Sequence, residues 1–301
     1  MNEPRYVPRY GLCFSIFSHG ATGLITLFYC TAFLFKDYQL MHLRGLPQFR
    51  ISHSVSQSFT HRALMIFVII NALCAAQSGL AQDENERQFE AGLAAKDRGH
   101  HATAMRAWLP LAEAGVSEAQ NNMGHMYEEG LGVAQNYATA MEWYRKAAEL
   151  GLPEAQQNVG LLYYYGYGVA ENPREAVRWF QMAADQSLAE AEYMLALASQ
   201  QGKGTSLDYT KARGLFLSSA RKNYGDAQLM YAYMLQAGEG ADESNAEAAY
   251  VWAKIAEENG VEAALDIWSL SAVLLSNREI ARAEETLALC RAEGLDACPH
   301  E

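Results

Sequence analysis

Few side chains in this sequence stand at spacings that suit chemistry. His125, Glu128 and Glu129 are three and four residues apart, which on a helix places an imidazole and two carboxylates on one face, where they could bind a metal ion. His100 and His101 are adjacent and would point in different directions on a helix. A protein metal site needs three or four converging ligands, and the sequence shows no further ligand that converges with these three side chains. We therefore predict no metal site.

The other apparent motifs do not indicate catalysis. Gly166-Tyr167-Gly168 resembles part of a phosphate-binding loop, but the same glycine spacing returns in each of the central repeats described below, so a turn explains it. No serine, threonine or cysteine is accompanied by a recognisable base and orienting group. We predict no catalytic residue and no cofactor, and a protein that is not an enzyme.

The strongest pattern in the chain is a repeat of 36 residues. Its alanine column, each member preceded by an acidic residue, consists of Ala119, Ala155, Ala191, Ala227 and Ala263. A fixed period of this length is typical of helical hairpins that stack to bury a continuous core. The acid before each alanine suits the positive end of a helix dipole.

Further columns divide each unit into two helices. Two glycine columns predict the end of the first helix and the turn after it, namely Gly130, Gly166, Gly202 and Gly238, and Gly132, Gly168, Gly204 and Gly240. A column of capping residues predicts the start of the second helix, namely Asn136, Asn172, Asp208 and Ser244. Small residues such as Ala140 and Ala176 alternate with bulky ones in that helix. The sequence therefore predicts an all-α fold.

The pattern A-x(3)-[LMV]-G-x(2)-Y-x(2)-G-x-G, followed by N-x(3)-A-x(2)-W-[YF]-x(2)-A-A, resembles the Sel-one-like repeat, a relative of the tetratricopeptide repeat. The resemblance implies a right-handed α-solenoid of stacked antiparallel helix pairs. We divide the chain into an N-terminal capping pair, four repeats, and a C-terminal capping pair with a tail: residues 82–118; 119–154, 155–190, 191–226 and 227–262; and 263–301.

The charge of the chain argues against a nucleic-acid partner. The net charge is −12, and because residues 1–81 contain six Lys or Arg and two acidic residues, the remainder carries −16. Nucleic-acid binding depends on neutralising phosphates with basic side chains, and no basic stripe is present.

The N-terminal region predicts export. Residues 63–81 combine a preceding Arg62 with a short apolar run and small residues, as in a secretory signal peptide, and we predict cleavage after Ala81 and a periplasmic or secreted location. Residues 1–62 lie upstream, and we favour a start of translation later than Met1. The uncharged stretch 11–35 is long enough to cross a bilayer, so the alternative is a membrane anchor. Membrane contact is predicted only through these segments.

Two cysteines remain in the predicted mature chain, Cys290 and Cys298. In an oxidising compartment they could form a disulfide that holds the tail against the last helix, or they could be two unrelated thiols. Some secreted relatives of the repeat family are cysteine-rich and are associated with β-lactam binding or hydrolysis. The central repeats here contain no cysteine, which weakens that inference.

The predicted binding site lies on one face of the first helices. Residues such as Met123, Met126, Val159 and Leu162 form a stripe that should pack on the second helices, and the opposite face, by resemblance to tetratricopeptide repeats, lines a concave groove. The predicted partner-binding residues are Asn121, His125, Glu128, Gln157, Tyr164, Tyr165, Tyr193, Gln200, Tyr233 and Gln236. Amides can hold a peptide backbone and tyrosines supply rigid contact area. Alternatively, these side chains pack between successive repeats.

Together these features predict an exported, non-catalytic scaffold that binds a protein or peptide partner as an adaptor or regulator in the bacterial envelope. Two alternatives remain: an enzyme or small-molecule binder acting on cell-wall material or β-lactams, and a periplasmic quality-control factor.

Overall fold

The computed structural model describes residues 84–299, which form twelve α-helices, one short 3-10 helix and no strand. The helices are α1 (84–97), α2 (His101–Glu113), α3 (Ser117–Glu129), α4 (Tyr137–Glu149), α5 (Pro153–Tyr165), α6 (Pro173–Ala184), α7 (Ala189–Gln201), α8 (Tyr209–Arg221), α9 (Gly225–Ala237), α10 (Ala246–Glu258), α11 (Ala264–Leu274) and α12 (Asn277–Glu293). Residues Leu295–Ala297 form the 3-10 helix.

Consecutive helices from α2 to α11 pack against one another, and α12 packs on α10, so the fold is an all-α solenoid of stacked helix pairs. Within a pair, the first helix has a glycine at the point where an aromatic ring of the second helix packs against it. A Cβ added to Gly124 would lie 2.6 Å from the ring of Tyr144, and one added to Gly160 would lie 2.5 Å from Phe180. Both rings are fully buried, so each glycine makes room for the core of its own pair.

The turns within the repeats follow the predicted capping pattern. Gly130 and Gly166 end their helices in the left-handed conformation, with φ of 69° and 75°. The side chains of Asn136, Asn172 and Asp208 accept hydrogen bonds from the backbone N–H three residues later, at 3.1, 3.2 and 2.9 Å. These capping residues were predicted from their types and spacing, and the structure confirms them.

The fourth repeat corrects the prediction of Ser244 as a cap. Asn245 caps α10 instead, and its side chain accepts from the Ala248 N–H at 2.9 Å. The loop from Gly238 to Asn245 contains one residue more than the corresponding loop from Gly202 to Asp208. The insertion moves the later alanine columns by one residue, to Ala249 and Ala264, which are both 0% exposed, whereas the predicted Ala263 is exposed. Because alanines also stand at 248 and 263, the shift was not visible in the sequence.

The second glycine of each loop lies against the preceding unit. A Cβ on Gly204 would lie 2.3 Å from the backbone oxygen of Pro173, and one on Gly168 would lie 2.6 Å from the backbone of α4. Each loop therefore rests on the start of the second helix in the previous repeat, which couples neighbouring repeats through backbone contact.

We predict that Gly204→Ala destabilises the protein more than Gly151→Ala does. Both glycines have positive φ, 81° and 95°, but nothing lies within 4 Å of a Cβ on Gly151. Gly151→Ala should cost about 1–2 kcal/mol for backbone strain, and Gly204→Ala a further ~1–3 kcal/mol for the clash. Urea denaturation of both variants measures the difference, and equal losses would contradict the backbone contact.

Buried glutamines join successive units. Gln120, Gln156 and Gln228 are at most 5% exposed, and each donates its side-chain N–H to a carbonyl near the end of the preceding helix. The acceptors are the carbonyl oxygens of Ala112, Ala148 and Ala220, at 2.9, 3.3 and 3.1 Å. Each of these carbonyl oxygens also accepts a backbone N–H from the turn that follows its helix. The glutamine therefore supplies a second hydrogen bond, which ties the next first helix to the end of the preceding helix.

The C-terminal pair differs from a polar cap. Ser276 and Glu279 form a capping box at the start of α12. The helix α11, however, exposes large apolar side chains, with Val273 82% and Leu274 61% exposed. The end of the described array is therefore only partly polar.

Cys290 and Cys298 are 2% and 1% exposed, with Cα atoms 5.1 Å apart and their sulfur atoms in contact. This Cα separation suits a disulfide, and we predict that the oxidised protein contains one. Intact mass and thiol labelling without reductant test it, and two reactive thiols would contradict it. Cys290→Ser with Cys298→Ser should then destabilise the protein by about 2–3 kcal/mol for a loop of this size.

Some predictions fall outside the described residues. The predicted leader 63–81, its cleavage after Ala81, and the apolar stretch 11–35 all lie there. Within residues 84–299, no helix is both long enough and apolar enough to span a membrane.

Candidate partner-binding surface

The predicted division of the first helices into two faces is confirmed for the core stripe. Met123 is 2% exposed, and Met126, Val159 and Leu162 are 0% exposed. The opposite face, where the partner-binding residues were predicted, is mixed: some of its side chains pack between repeats and others face solvent.

Several of the predicted polar residues bond to the next repeat. Asn158 donates to Asn121 at 3.0 Å, and Gln200 donates to Glu239 at 3.1 Å. Gln236 accepts a hydrogen bond from the hydroxyl of Ser271. These contacts join the first helix of one repeat to the first helix of the next repeat or to the loop that follows it. Asn121, Gln200 and Gln236 therefore help to set the geometry of the array. A partner could reach these side chains only by competing with those hydrogen bonds.

The structure places Tyr164 in the core and not on the predicted surface. It is 3% exposed and packs against Phe180, with ring centroids 6.0 Å apart, while its hydroxyl donates to Gln201 at 3.0 Å. Burial raises the pKa of the Tyr164 hydroxyl above its ordinary value. This position lies at the edge of the core stripe, and the ring turns inward to fill space beside Phe180.

Tyr193 is half-buried between two other rings. Its ring centroid lies 5.7 Å from that of Phe216 and 5.2 Å from that of Tyr224. Burial, followed by the charge of Asp226, raises the pKa of Tyr193. Tyr193 therefore belongs mainly to the packing between α7 and its neighbours.

Three tyrosines form a stacked row at the surface, and we refer to Tyr137, Tyr165 and Tyr167 as the tyrosine row. The rings of Tyr137 and Tyr167 stack with centroids 5.1 Å apart and 27° between their planes. Those of Tyr165 and Tyr167 stack at 5.6 Å and 23°. Tyr165 is 49% and Tyr167 46% exposed, and Tyr137 is half-buried. The row presents a continuous aromatic surface to solvent.

Backbone contact between two repeats assembles the row. Tyr137 begins α4 in one repeat, whereas Tyr165 and Tyr167 flank the end of α5 in the next. Gly168 brings its loop against the start of α4, where a Cβ would lie 2.7 Å from the Cβ of Tyr137. A side chain at position 168 would separate the two rings, so this glycine positions the stack.

A third repeat adds a cation beside the row. The Lys203 ammonium lies 4.1 Å from the ring centre of Tyr164 and 5.9 Å from that of Tyr165. It also pairs with Glu171 at 2.9 Å and donates to the backbone oxygen of Tyr164 at 3.0 Å. These contacts hold Lys203 in place, so the row and its cation form one pre-positioned surface across three repeats.

The remaining predicted residues lie near the row or further along the array. Gln135 donates to the Tyr137 hydroxyl at 3.0 Å and to the backbone oxygen of Glu128 at 2.8 Å, which links the row to the end of α3. His125 and Glu128 share that end of α3. Gln157 is half-buried on α5, and Tyr233 is 40% exposed on α9.

Sequence reasoning missed Tyr137, Tyr167 and Lys203 as parts of this surface. All three lie in loops or at a helix start, outside the helical stripes from which the site was predicted. The available signal was the glycine at 168, whose close approach joins two tyrosines that are thirty residues apart in the chain.

Comparison with known proteins agrees with this architecture. The profile of the Sel1 repeat matches residues 117–152, 153–188, 189–224 and 225–261. Among proteins with curated descriptions, none matches the sequence.

The solved structures that are similar to this chain include two repeat proteins. One is c5321, described as a protective antigen present in uropathogenic Escherichia coli strains displaying an SLR fold, with 32% identity and a TM-score of 0.56 over 62% of this chain. The present chain spans only 41% of the length of c5321. The other is a Sel1 repeat protein from Oxalobacter formigenes, with 25% identity, a TM-score of 0.59, and coverage of 69% of this chain and 86% of that one.

Proposed function

Because the four repeats of residues 117–261 are Sel1 repeats, a type that typically serves as a scaffold for protein–protein interaction, we propose that the protein binds a protein or peptide partner through the tyrosine row. The proposed role is non-catalytic, as an adaptor or regulator in the bacterial envelope.

The observation that supports this proposal is the exposure of stacked rings. Two tyrosines that are 49% and 46% exposed stack on each other and on a third tyrosine from the neighbouring repeat. Stacking and backbone contact hold the rings in place before binding, so little side-chain entropy would be lost when a partner covers them. Tyrosine offers apolar area with a polar tip and is enriched among residues that dominate binding energy.

The charges around the row favour a partner segment that offers both apolar and polar groups. Lys203 lies beside Tyr165, and Glu171 pairs with it at 2.9 Å. The chain as a whole is acidic, with a net charge of −12, which favours association with a neutral or basic partner surface.

The envelope location rests on the leader predicted for residues 63–81. We propose that the mature chain begins at Gln82 and that the array acts outside the cytoplasm. A cytoplasmic array would need no such apolar segment ahead of its first helix.

The experiment is in-cell crosslinking of the C-terminally tagged protein, followed by affinity capture and mass spectrometry of the bait and its partners. The proposal predicts a bait that begins at Gln82 and one reproducible stoichiometric envelope protein. A bait that retains residues 1–40 supports the membrane anchor instead. Absence of any reproducible partner would contradict the scaffold role.

A further inference from the structure

Three side chains with metal-ligating atoms meet at the end of α3. One ligand atom from each of His125, Glu128 and Glu129 lies within 4.8 Å of the other two. His125 and Glu128 are half-buried, and Glu129 is exposed. A metal site needs three or four converging ligands, and the described structure brings three together on one helical turn.

A buried hydroxyl fixes one of these ligands. Tyr144, 0% exposed on α4, donates to a carboxylate oxygen of Glu128 at 2.5 Å. The Tyr144 ring lies against Gly124, one turn before Glu128 on the same helix. A carboxylate has a second oxygen that this bond leaves available. Hydrogen bonds of this kind orient metal ligands and are a regular part of protein metal sites.

This combination occurs in one repeat. One repeat length after Glu128 and Tyr144 stand Tyr164 and Phe180, and a further length on stand Gln200 and Phe216. Neither pair unites a carboxylate with a hydroxyl-bearing ring. The need of Tyr144 for a hydrogen-bond partner would explain why Glu128 is present. It would not explain why His125 and Glu129 lie beside Glu128.

We propose that His125, Glu128 and Glu129 bind one divalent transition-metal ion, with Zn²⁺ as the best match. An imidazole nitrogen and two carboxylate oxygens are ligands that zinc accepts, whereas Mg²⁺ and Ca²⁺ favour oxygen alone. Ligand atoms around tetrahedral zinc lie about 3.3 Å apart, so the side chains of His125 and Glu129 must close in by small rotations. The remaining coordination position is open to water or to a ligand from outside the chain. This inference does not depend on the tyrosine row.

The test is a titration of the untagged protein, purified as the cell produces it, with ZnCl₂ by calorimetry. We expect one site in the wild type, retained in His100→Ala, which removes an exposed histidine from the preceding unit. His125→Ala and Glu129→Gln should weaken binding at least about tenfold, and Tyr144→Phe about tenfold through loss of the oriented carboxylate. Circular dichroism checks that each variant is folded.

Two results would overturn the proposal. The first is a wild type that does not bind Zn²⁺, and the second is a folded His125→Ala variant that binds it as the wild type does. MgCl₂ titrated in place of ZnCl₂ should give no heat from this site. If Mg²⁺ binds and the His125→Ala variant binds it equally well, the acidic residues belong to a different kind of site.

Discussion

Simultaneous replacement of Tyr137, Tyr165 and Tyr167 by serine should weaken partner binding roughly hundredfold or more, because truncating a hot-spot residue costs at least about 2 kcal/mol and three are removed together. The melting temperature should change little. Two of the rings are about half exposed, so the substitutions remove little buried area. The main decrease in the free energy of unfolding comes from the lost ring stacking, which is worth about 0.5–1.5 kcal/mol per pair. Calorimetry with the captured partner measures the first effect, and circular dichroism measures the second.

The third repeat provides a matched control. Tyr209 follows the capping residue Asp208 as Tyr137 follows Asn136, and it is 39% exposed. In the second repeat, the residue after the loop glycine is Tyr167, which faces Tyr137. The corresponding residue that would face Tyr209 is Glu239. Tyr209→Ser should therefore bind the partner as the wild type does. If the triple variant binds normally, or if Tyr209→Ser is equally impaired, the tyrosine row is not the specific site.

The second large effect concerns stability. Trp252→Ala should destabilise the protein by about 3–5 kcal/mol, as expected for loss of a fully buried tryptophan. Trp252 is 0% exposed, meets the ring of Tyr231 edge to face at 5.5 Å, and donates to the backbone oxygen of Pro299 at 2.6 Å. The substitution leaves a cavity and also removes the hydrogen bond from the Trp252 indole to the tail.

Trp143 is the control for this prediction. Counted from the capping residues Asn136 and Asn245, Trp143 and Trp252 hold equivalent places, but Trp143 is half-buried, with the Lys146 ammonium 3.9 Å from its ring centre. Trp143→Ala should cost clearly less, because part of the ring already contacts water. Thermal and urea denaturation of both variants measure the loss of unfolding free energy. A loss below about 1 kcal/mol for Trp252→Ala would show that the tail does not cover Trp252.

The sequence predicted local structure well, because the signals for helix ends are themselves local. Asn136 and Asn172 cap helices through a bond to the third residue beyond them, so residue type and spacing suffice. The insertion before Asn245 escaped notice because Ala248 and Ala263 stand directly before the buried Ala249 and Ala264, so the 36-residue spacing continued without it. Gln120 and its equivalents were also missed, since their partners are carbonyls of the preceding helix.

The candidate site was predictable only in part. Tyr164 and Tyr165 are neighbours in sequence, yet one is 3% and the other 49% exposed, a difference decided by the ring of Phe180 against which Tyr164 packs. The stack of Tyr137 on Tyr167 needs a contact between two repeats, made through Gly168. Helical periodicity describes one helix at a time, so it cannot show which side chains from different repeats meet.

The most direct test of the binding surface is site-specific photocrosslinking in cells. A benzophenone amino acid replaces Tyr167 in one variant and Met182 in another, because Met182 is similarly exposed, at 45%, but lies on the second helix of the same repeat. We predict that irradiation joins the Tyr167 variant to one partner protein and leaves the Met182 variant unlinked. Equal crosslinking at both positions, or crosslinking at Met182 alone, would contradict the assignment of the tyrosine row as the binding surface.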